Sequence, residues 1–407
     1  MILTNEEKKV PFYLGKGPPT NPKTITPDTP LDEFNLNWTE KQMPQRQRTK
    51  HVHGLHPYLG KYIPQLVEIF LRKYFVPGQV VLDPFVGSGT TLVQANELGI
   101  HSIGYDISAF NILLCRVKTA HYDIKKVEAE AKDVLWKTKL ATQPQINGQL
   151  RLLETHQNVV STDNEYLQDW YAPRALGELL TYLYYVESEA YEYKDLLKII
   201  LTRSARSARL TTHFDLDFPK EPQREPYQCY KHSRTCHPVE EAFKFLSRYT
   251  KDTIRRVNAF AQLRTNASVI AHHGDSRLLS NERADGIITS PPYVGLIDYH
   301  EQHAYAYHLL GLKDNSHREI GPAALGTRQQ ARFQYQDDIA DVFRNVSRIL
   351  PRGAPIIIVA GDRHELYPEI VKKTGMEEEA VLQRHVNRRT GRRSGEFFES
   401  IFVWRKP

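Results

Sequence analysis

The sequence predicts an α/β protein built on a doubly wound, mainly parallel sheet that is interrupted by a mostly helical insertion. Two observations carry that prediction. A strand–glycine turn–helix–strand unit runs from Val80 to Asp106, which is how a doubly wound sheet opens. The alternation resumes at Val269, after a stretch, 121–267, with helical periodicity and little strand signal.

The elements follow in order. Residues 1–50 are rich in Pro, Lys, Thr and Asn without sustained apolar periodicity, so an arm or loose lid is expected there. Between Gly60 and Phe75, Leu66, Ile69, Phe70 and Tyr74 share one helical face, and Pro77-Gly78 then breaks the chain. Val80-Val81-Leu82 is a β-branched run and reads as a strand. Gly87 and Gly89 mark a turn, Thr90 to Leu98 a helix, and Ile103 to Tyr105 a second strand ending at Asp106. Within the insertion, Leu176 to Val186 and Leu196 to Arg209 read as helices, followed by a Pro- and Tyr-rich segment from Asp215 to Pro238. Strands are expected again at Val269-Ile270, Gly286 to Thr289, Pro355 to Ala360 and Ser400 to Trp404, with a helix from Asp337 to Ile349. The chain thus divides into an N-terminal arm (1–50), a catalytic unit in two pieces (51–120 and 268–407) and a helical insertion (121–267).

Composition narrows the classes. The 407 residues, 40% apolar, suffice for one large domain with an insertion or for two domains. No apolar run approaches the ~20 residues of a membrane span, and Met1 to Val10 is polar, so no signal peptide is expected. Three cysteines do not make a disulfide framework, which points to a reducing compartment. The net charge of +6 becomes informative because basic residues cluster. Arg203, Arg206 and Arg209 recur at spacing three, and the stretch from Arg384 to Arg393 adds Arg388, Arg389, Arg392 and Arg393 without an acid. Together with Tyr230 to Arg234 they suggest a polyanion-binding face.

Two motifs carry chemistry. Asp83-Pro84-Phe85-Val86-Gly87-Ser88-Gly89-Thr90-Thr91 follows the first strand. Its glycines let a ligand approach the backbone, and a helix N-terminus behind them presents free N–H groups. There is no lysine for a Walker A loop, and Leu92 stands where a dinucleotide fingerprint needs a third glycine. A cofactor without phosphate fits instead, with Asp83 placed to take an ammonium and Asp106 a ribose. Ser290-Pro291-Pro292-Tyr293 ends a buried strand. Two prolines stop the strand and stiffen the loop, leaving carbonyls, a hydroxyl and an aromatic ring able to grip a flat base that bears an amino group.

The first of these motifs resembles motif I of the amino-directed DNA methyltransferases, and Ser290 to Tyr293 resembles their motif IV. His56-Pro57 with Lys61 to Glu68 resembles the segment before motif I, Asp106-Ile107 motif II, Gly274-Asp275-Ser276 motif III, and Arg348 to Gly353 the turn that follows motif IV. The resemblance covers roughly 51–110 and 268–405. It implies a seven-stranded Rossmann-like fold and S-adenosylmethionine as methyl donor. His56, Pro57, Asp83, Pro84, Phe85, Gly87, Ser88, Gly89, Thr90, Thr91, Asp106, Ile107, Asp275 and Ser276 would bind the cofactor. Ser290, Pro291, Pro292 and Tyr293 would be catalytic. Unlike the family's usual order, the insertion precedes motif III.

A nucleobase amine is a poor nucleophile, and acceptors such as the Ser290 hydroxyl and Pro291 carbonyl would favour charge build-up on its nitrogen. Tyr293 would stack on the base. Serine at the first position resembles the cytosine-N4 enzymes, whereas adenine-N6 enzymes commonly carry Asp or Asn. No cysteine follows a proline, which disfavours cytosine-C5 chemistry. The expected activity is therefore cytosine-N4 methylation of double-stranded DNA, in the prokaryotic cytoplasm, within a restriction–modification pair that includes a cognate endonuclease. Adenine-N6 and RNA amino methylation are the alternatives, and 121–267 is the candidate target-recognition region. Cys229, His232, Cys236 and His237 lie within nine residues. Structural zinc sites usually use shorter paired spacings, so an incidental loop and no metal are expected.

Overall fold

The computed structural model describes residues 10–142, 160–213, 215–216, 219–279, 282–386 and 397–407. Its strands are β1 (Phe12–Tyr13), β2 (Val80–Asp83), β3 (His101–Asp106), β4 (Tyr227–Cys229), β5 (Arg234–Cys236), β6 (Val269–His273), β7 (Gly286–Thr289), β8 (Pro355–Ala360), β9 (Glu377–His385) and β10 (Phe398–Arg405). Eight of them form one sheet in the order β1-β9-β10-β8-β7-β2-β3-β6. β2, β3, β6, β7 and β8 pair in parallel, and β10 enters antiparallel between β8 and β9.

From β2 the chain first builds outward through β3 to β6, then returns through β7 to β8 on the other side. The reversal leaves a crevice outside the carboxyl ends of β2 and β7, the place where such sheets bind ligands. β8, Pro-Ile-Ile-Ile-Val-Ala, is buried at all six positions, as a strand covered on both faces must be. The seven strands expected from the resemblance are present, and β1 adds an eighth at the edge, parallel to β9.

The N-terminal segment departs from the expectation of a loose arm. Ile25, Phe34 and Leu36 are buried in the same cluster as Leu66, Phe70, Val81, Ile357 and Ile401. Phe34 meets Phe70 edge-on, with ring centroids 6.1 Å apart. Phe70 belongs to helix α1 (Pro64–Tyr74), which opens with proline at its first turn. Asn35 ties the segment to itself, donating to Gly17 O (2.6 Å) and accepting from Asn37 N (3.1 Å). Lys73 donates to Thr29 O at 2.8 Å. A polar, proline-rich stretch can thus cover a sheet face with a few large apolar anchors and no periodicity.

Helices α2 (Thr90–Glu97) and α3 (Ala109–Thr119) follow β2 and β3. The insertion is helical as expected: α4 (Ile124–Thr142), α5 (Glu165–Trp170), α6 (Pro173–Ser188), α7 (Lys194–Ala208) and α8 (Phe243–Ala261). It is not a separate globule. Its apolar residues share one core with Phe110 and Leu114 of α3 and with Tyr305, Ala306 and Leu309 of α9 (Ala304–Leu310). Helices α10 (Gln329–Ser347) and α11 (Tyr367–Thr374) pack on the other side around Phe343 and Trp404.

The packed N-terminal segment makes a prediction. Phe34→Ala should lower the unfolding free energy by ~3–5 kcal/mol, as for a large core truncation. A change under ~0.5 kcal/mol in chemical denaturation, the surface range, would contradict the packing described.

Candidate active site

Asp83 ends β2 with its carboxylate turned inward. Oδ1 accepts from Thr289 Oγ1 (2.6 Å) and Phe85 N (3.1 Å), and Oδ2 from Thr91 Oγ1 (2.6 Å) and Tyr62 OH (3.0 Å). Burial raises its pKa against those hydrogen bonds. The expectation that Asp83 takes a ligand's ammonium is therefore corrected: four protein donors engage it, and it joins β2 to β7, to α2 and to the segment just before α1.

The glycine turn follows. Gly87 and Gly89 adopt φ of +47° and +78°, a conformation that favours glycine. A Cβ on Gly87 would come within 3.1 Å of the Tyr58 hydroxyl, and one on Gly89 within 3.0 Å of Cys115 Sγ. Below the turn, buried Lys118 donates to Ser88 O at 2.5 Å, and burial lowers its pKa to about 8.

Asp106 ends β3 and faces the crevice. It accepts from Gly87 N (2.9 Å), Ser108 N (2.8 Å) and Asn111 Nδ2 (3.1 Å). Burial raises its pKa to about 6 despite these bonds. Asp275 is the opposite case. Burial works against its charge, but hydrogen bonds from Arg277 and the nearby Arg318 guanidinium outweigh it and hold the carboxyl below its ordinary value. Ser276 Oγ donates to Pro84 O, fastening this turn to the first motif.

One pocket unites the two motifs. It spans about 820 Å³ of space, open mouth included. Pro84 to Ser88, Thr90, Asp106, Ile107, Asp275 and Ser276 line it, together with Ser290 and Pro292. Gly89, Thr91, His56 and Pro57 do not. His56 is buried between Phe110 and Tyr305, with Nδ1 2.8 Å from Pro57 O. Two positions further on, Tyr58 does reach the pocket, and its ring stacks on Tyr299 at 5.8 Å. Tyr58, Asn111, Tyr299, Arg318 and Glu319 were not singled out by the sequence. Tyr299 lies in the polar run from Asp298 to His303 that follows the second motif.

At the second motif, the Ser290 hydroxyl donates to Val359 O at 2.8 Å, so its lone pairs are what it can offer a ligand. Pro292 O accepts from Tyr335 OH at 2.8 Å. The half-buried Tyr293 lines a smaller adjoining pocket with Gly361, Asp362 and Tyr367 rather than the main one. Its hydroxyl donates to Glu399 Oε1 at 3.0 Å, and Arg384 pairs with Glu399 Oε2 at 2.7 Å.

The three spaced arginines do not form a free basic face, and that expectation is corrected for the two whose contacts are defined. Arg203 pairs with Asp252 at 2.7 Å and lies over Tyr249, and buried Arg209 lies over Tyr305 and donates to Leu216 O. α7 turns this side toward α8 and α9, so the charges are held inside the helical unit. Arg206, between them, is half-buried and interacting. Arg388, Arg389, Arg392 and Arg393 lie outside the described residues.

The pocket's chemistry fits S-adenosylmethionine. Buried Ser88 Oγ and Asn111 Oδ1, both on lining residues, have no hydrogen-bond partner among the described residues. The Asp106 carboxylate lies beside them as an acceptor for hydroxyl groups.

Residues 15–114 match a family described as DNA methylase. The chain is 38% identical to Type II methyltransferase M.MjaII of Methanocaldococcus jannaschii, over 91% of this chain and 83% of that protein. It is 23% identical to Type II methyltransferase M.BsoBI of Geobacillus stearothermophilus, over 69% of this chain and 57% of that one. A solved structure of TrmN from Thermus thermophilus overlays with a TM-score of 0.32 at 13% identity, covering 86% of this chain and 50% of that one, too slight a likeness to bear on function.

The inward carboxylate of Asp83 predicts a separation of effects. Asp83→Ala leaves buried donors unpaired and should cost ~2–4 kcal/mol of stability, whereas Asp83→Asn should bind S-adenosylhomocysteine within about threefold of the parent, well under the tenfold that 1.4 kcal/mol represents. A large loss of affinity in folded Asp83→Asn, read by calorimetry, would restore the ligand-contact role.

Proposed function

The chain belongs to the DNA methylase family, and from that premise we propose that it methylates the exocyclic N4 amine of cytosine in double-stranded DNA. S-adenosylmethionine is the methyl donor, supplying a methyl group already activated on a sulfonium. The observation that carries the reading is the orientation of Ser290. Its proton is engaged by Val359 O, so toward the pocket it is an acceptor, and an acceptor is what an amine must meet if its nitrogen is to gain electron density.

The residues divide the work. Gly87, Ser88 and Asp106 hold the nucleoside end of the donor, with Ser88 Oγ and Asn111 Oδ1 as its polar contacts. Ser290 and the Pro291 carbonyl accept from the target amine, whose spare proton leaves to solvent. Tyr293, fixed at its hydroxyl by Glu399, presents its ring to the base. A base inside a duplex cannot reach this loop, so the nucleotide is flipped out. Serine rather than an acid at position 290 favours cytosine. The relatives' names support the modification half of a restriction–modification pair, with a cognate endonuclease as partner and a prokaryotic cytoplasm as location. Residues 121–267 then serve in target recognition.

Labelled donor with plasmid DNA or total RNA, followed by digestion to nucleosides, should yield N4-methyldeoxycytidine. N6-methyldeoxyadenosine would move the target to adenine, and a methylated ribonucleoside would move the polymer to RNA. Ser290→Ala should reduce kcat by about 10²–10³, the cost of one such electrostatic group, with donor affinity unchanged.

Asp106 gives a pH dependence with a definite sign. Only its ionised form accepts from two ribose hydroxyls, and with a pKa of about 6 that form prevails above pH 6. Donor affinity should hold at neutral pH and weaken below pH 6 by up to about tenfold per unit, as one linked proton requires. Asp106→Asn should bind weakly at every pH and flatten the profile. An unchanged slope in that variant would assign the titration to another group.

A further inference from the structure

Outside the pocket, the insertion carries a second group of chemically distinctive side chains. β4 and β5 form a hairpin of their own, pairing Tyr227 with Cys236 and Cys229 with Arg234. Strands of three residues in an isolated pair are marginal in water without something to hold them. Cys229 and Cys236 are 2% and 7% exposed, yet neither sulfur belongs to a hydrophobic cluster of the core. The turn has Ser233 at φ +51° and brings His232 back over the hairpin. His232 Nδ1 then lies 3.6 Å from Cys229 Sγ and 3.5 Å from Cys236 Sγ. His213, from the segment after α7, places Nδ1 3.5 Å from Cys229 Sγ.

We propose that His213, Cys229, His232 and Cys236 form a structural Zn²⁺ site that clamps this hairpin to the end of α7. The four ligand atoms all lie within 4.8 Å of one another. In a tetrahedral site with Zn–S of ~2.3 Å and Zn–N of ~2.0 Å, a sulfur and a nitrogen are ~3.5 Å apart. The three sulfur–nitrogen separations match that edge. Two thiolates and two neutral imidazoles balance the dication, and binding releases two thiol protons. Four protein ligands leave no open coordination position, which makes the site structural rather than catalytic. The Tyr227 hydroxyl lies 2.8 Å from His213 Nδ1 and also accepts from His213 N at 3.1 Å. Metal binding displaces the first contact and leaves the second to orient the ligand from behind. His237, adjacent in sequence to Cys236, is not in the cluster, whereas His213, sixteen residues before Cys229, is.

The test uses full-length protein purified without chelator or metal-affinity steps. Elemental analysis should find about one zinc per chain, as a closed site requires. The double variant Cys229→Ser, Cys236→Ser should retain less than about a tenth of that metal, whereas His237→Ala should keep it all. Should the double variant fail to fold, the parent protein decides. Stripped and refilled with Co²⁺ alone, it should develop the visible bands of a tetrahedral dithiolate site, and added Zn²⁺ should bleach them. Parent protein that holds no zinc and gives no such bands overturns the proposal, as does metal loss in His237→Ala equal to that in the cysteine variant.

Discussion

The site depends on one buried carboxylate. Asp83 is 1% exposed and engaged by four donors, from β7, α2, the turn after β2 and the segment before α1. Through Thr91 it fixes the helix that follows the glycine turn, and through Thr289 it fixes the residue immediately before Ser290. Thr91 also reaches Ile288 O at 3.3 Å. The two halves of the pocket, about two hundred residues apart in the chain, are thus held by the same two carboxylate oxygens. An uncompensated buried charge is costly, so the arrangement is stable only when every donor is in place. That condition makes the spacing between the glycine turn and the Ser290 loop a property of the core rather than of the loops themselves.

The Ser290 loop is positioned by neighbouring strands in the same way. In the sheet, β7 is flanked by β8, and β8 by β10. Ser290 bonds to Val359 of β8 and Tyr293 to Glu399 of β10. Ser290 and Tyr293 are therefore each referenced to a strand one or two places away. The prolines remove alternative backbone conformations, and the cross-strand bonds select the remaining one.

Much of this fold was legible in the sequence, and the exceptions have physical causes. Pro355 to Ala360 reads unambiguously because a strand covered on both faces must be apolar throughout, and the apolar runs of β2 and β7 read for the same reason. β9 escaped notice because Glu377, Glu378 and Glu379 open it: as a strand with one polar face it shows no apolar run. The N-terminal segment looked loose because Ile25, Phe34 and Leu36 follow no period, although three anchors suffice to seat it. Gly87, Asp106 and Ser290, singled out from local turn chemistry, do line the pocket. Asp83 was assigned to the pocket because its partner Thr289 lies 206 residues away and only the fold brings it close.

The spaced arginines and the Cys–His group show the same limit from opposite directions. Regular spacing at Arg203, Arg206 and Arg209 does mark one helical face, but sequence does not say whether that face meets solvent or another helix. Here Asp252 and Tyr249 of α8 engage Arg203 within the insertion, while Tyr305 of α9 receives Arg209, so Arg209 helps dock the insertion onto the catalytic unit. Conversely, the irregular spacing of Cys229, His232 and Cys236 argued against a metal only while the fourth ligand was sought nearby. His213 stands across a proline-rich segment, and the chain must turn back before the four atoms converge. Arg203 and Arg209, which looked exposed, are engaged internally, and a cluster that looked incidental brings four ligand atoms within 4.8 Å of one another. In both cases packing within the insertion, rather than spacing along the chain, decides which groups meet, and Arg209 at the end of α7 ties that packing to Tyr305 of the catalytic unit.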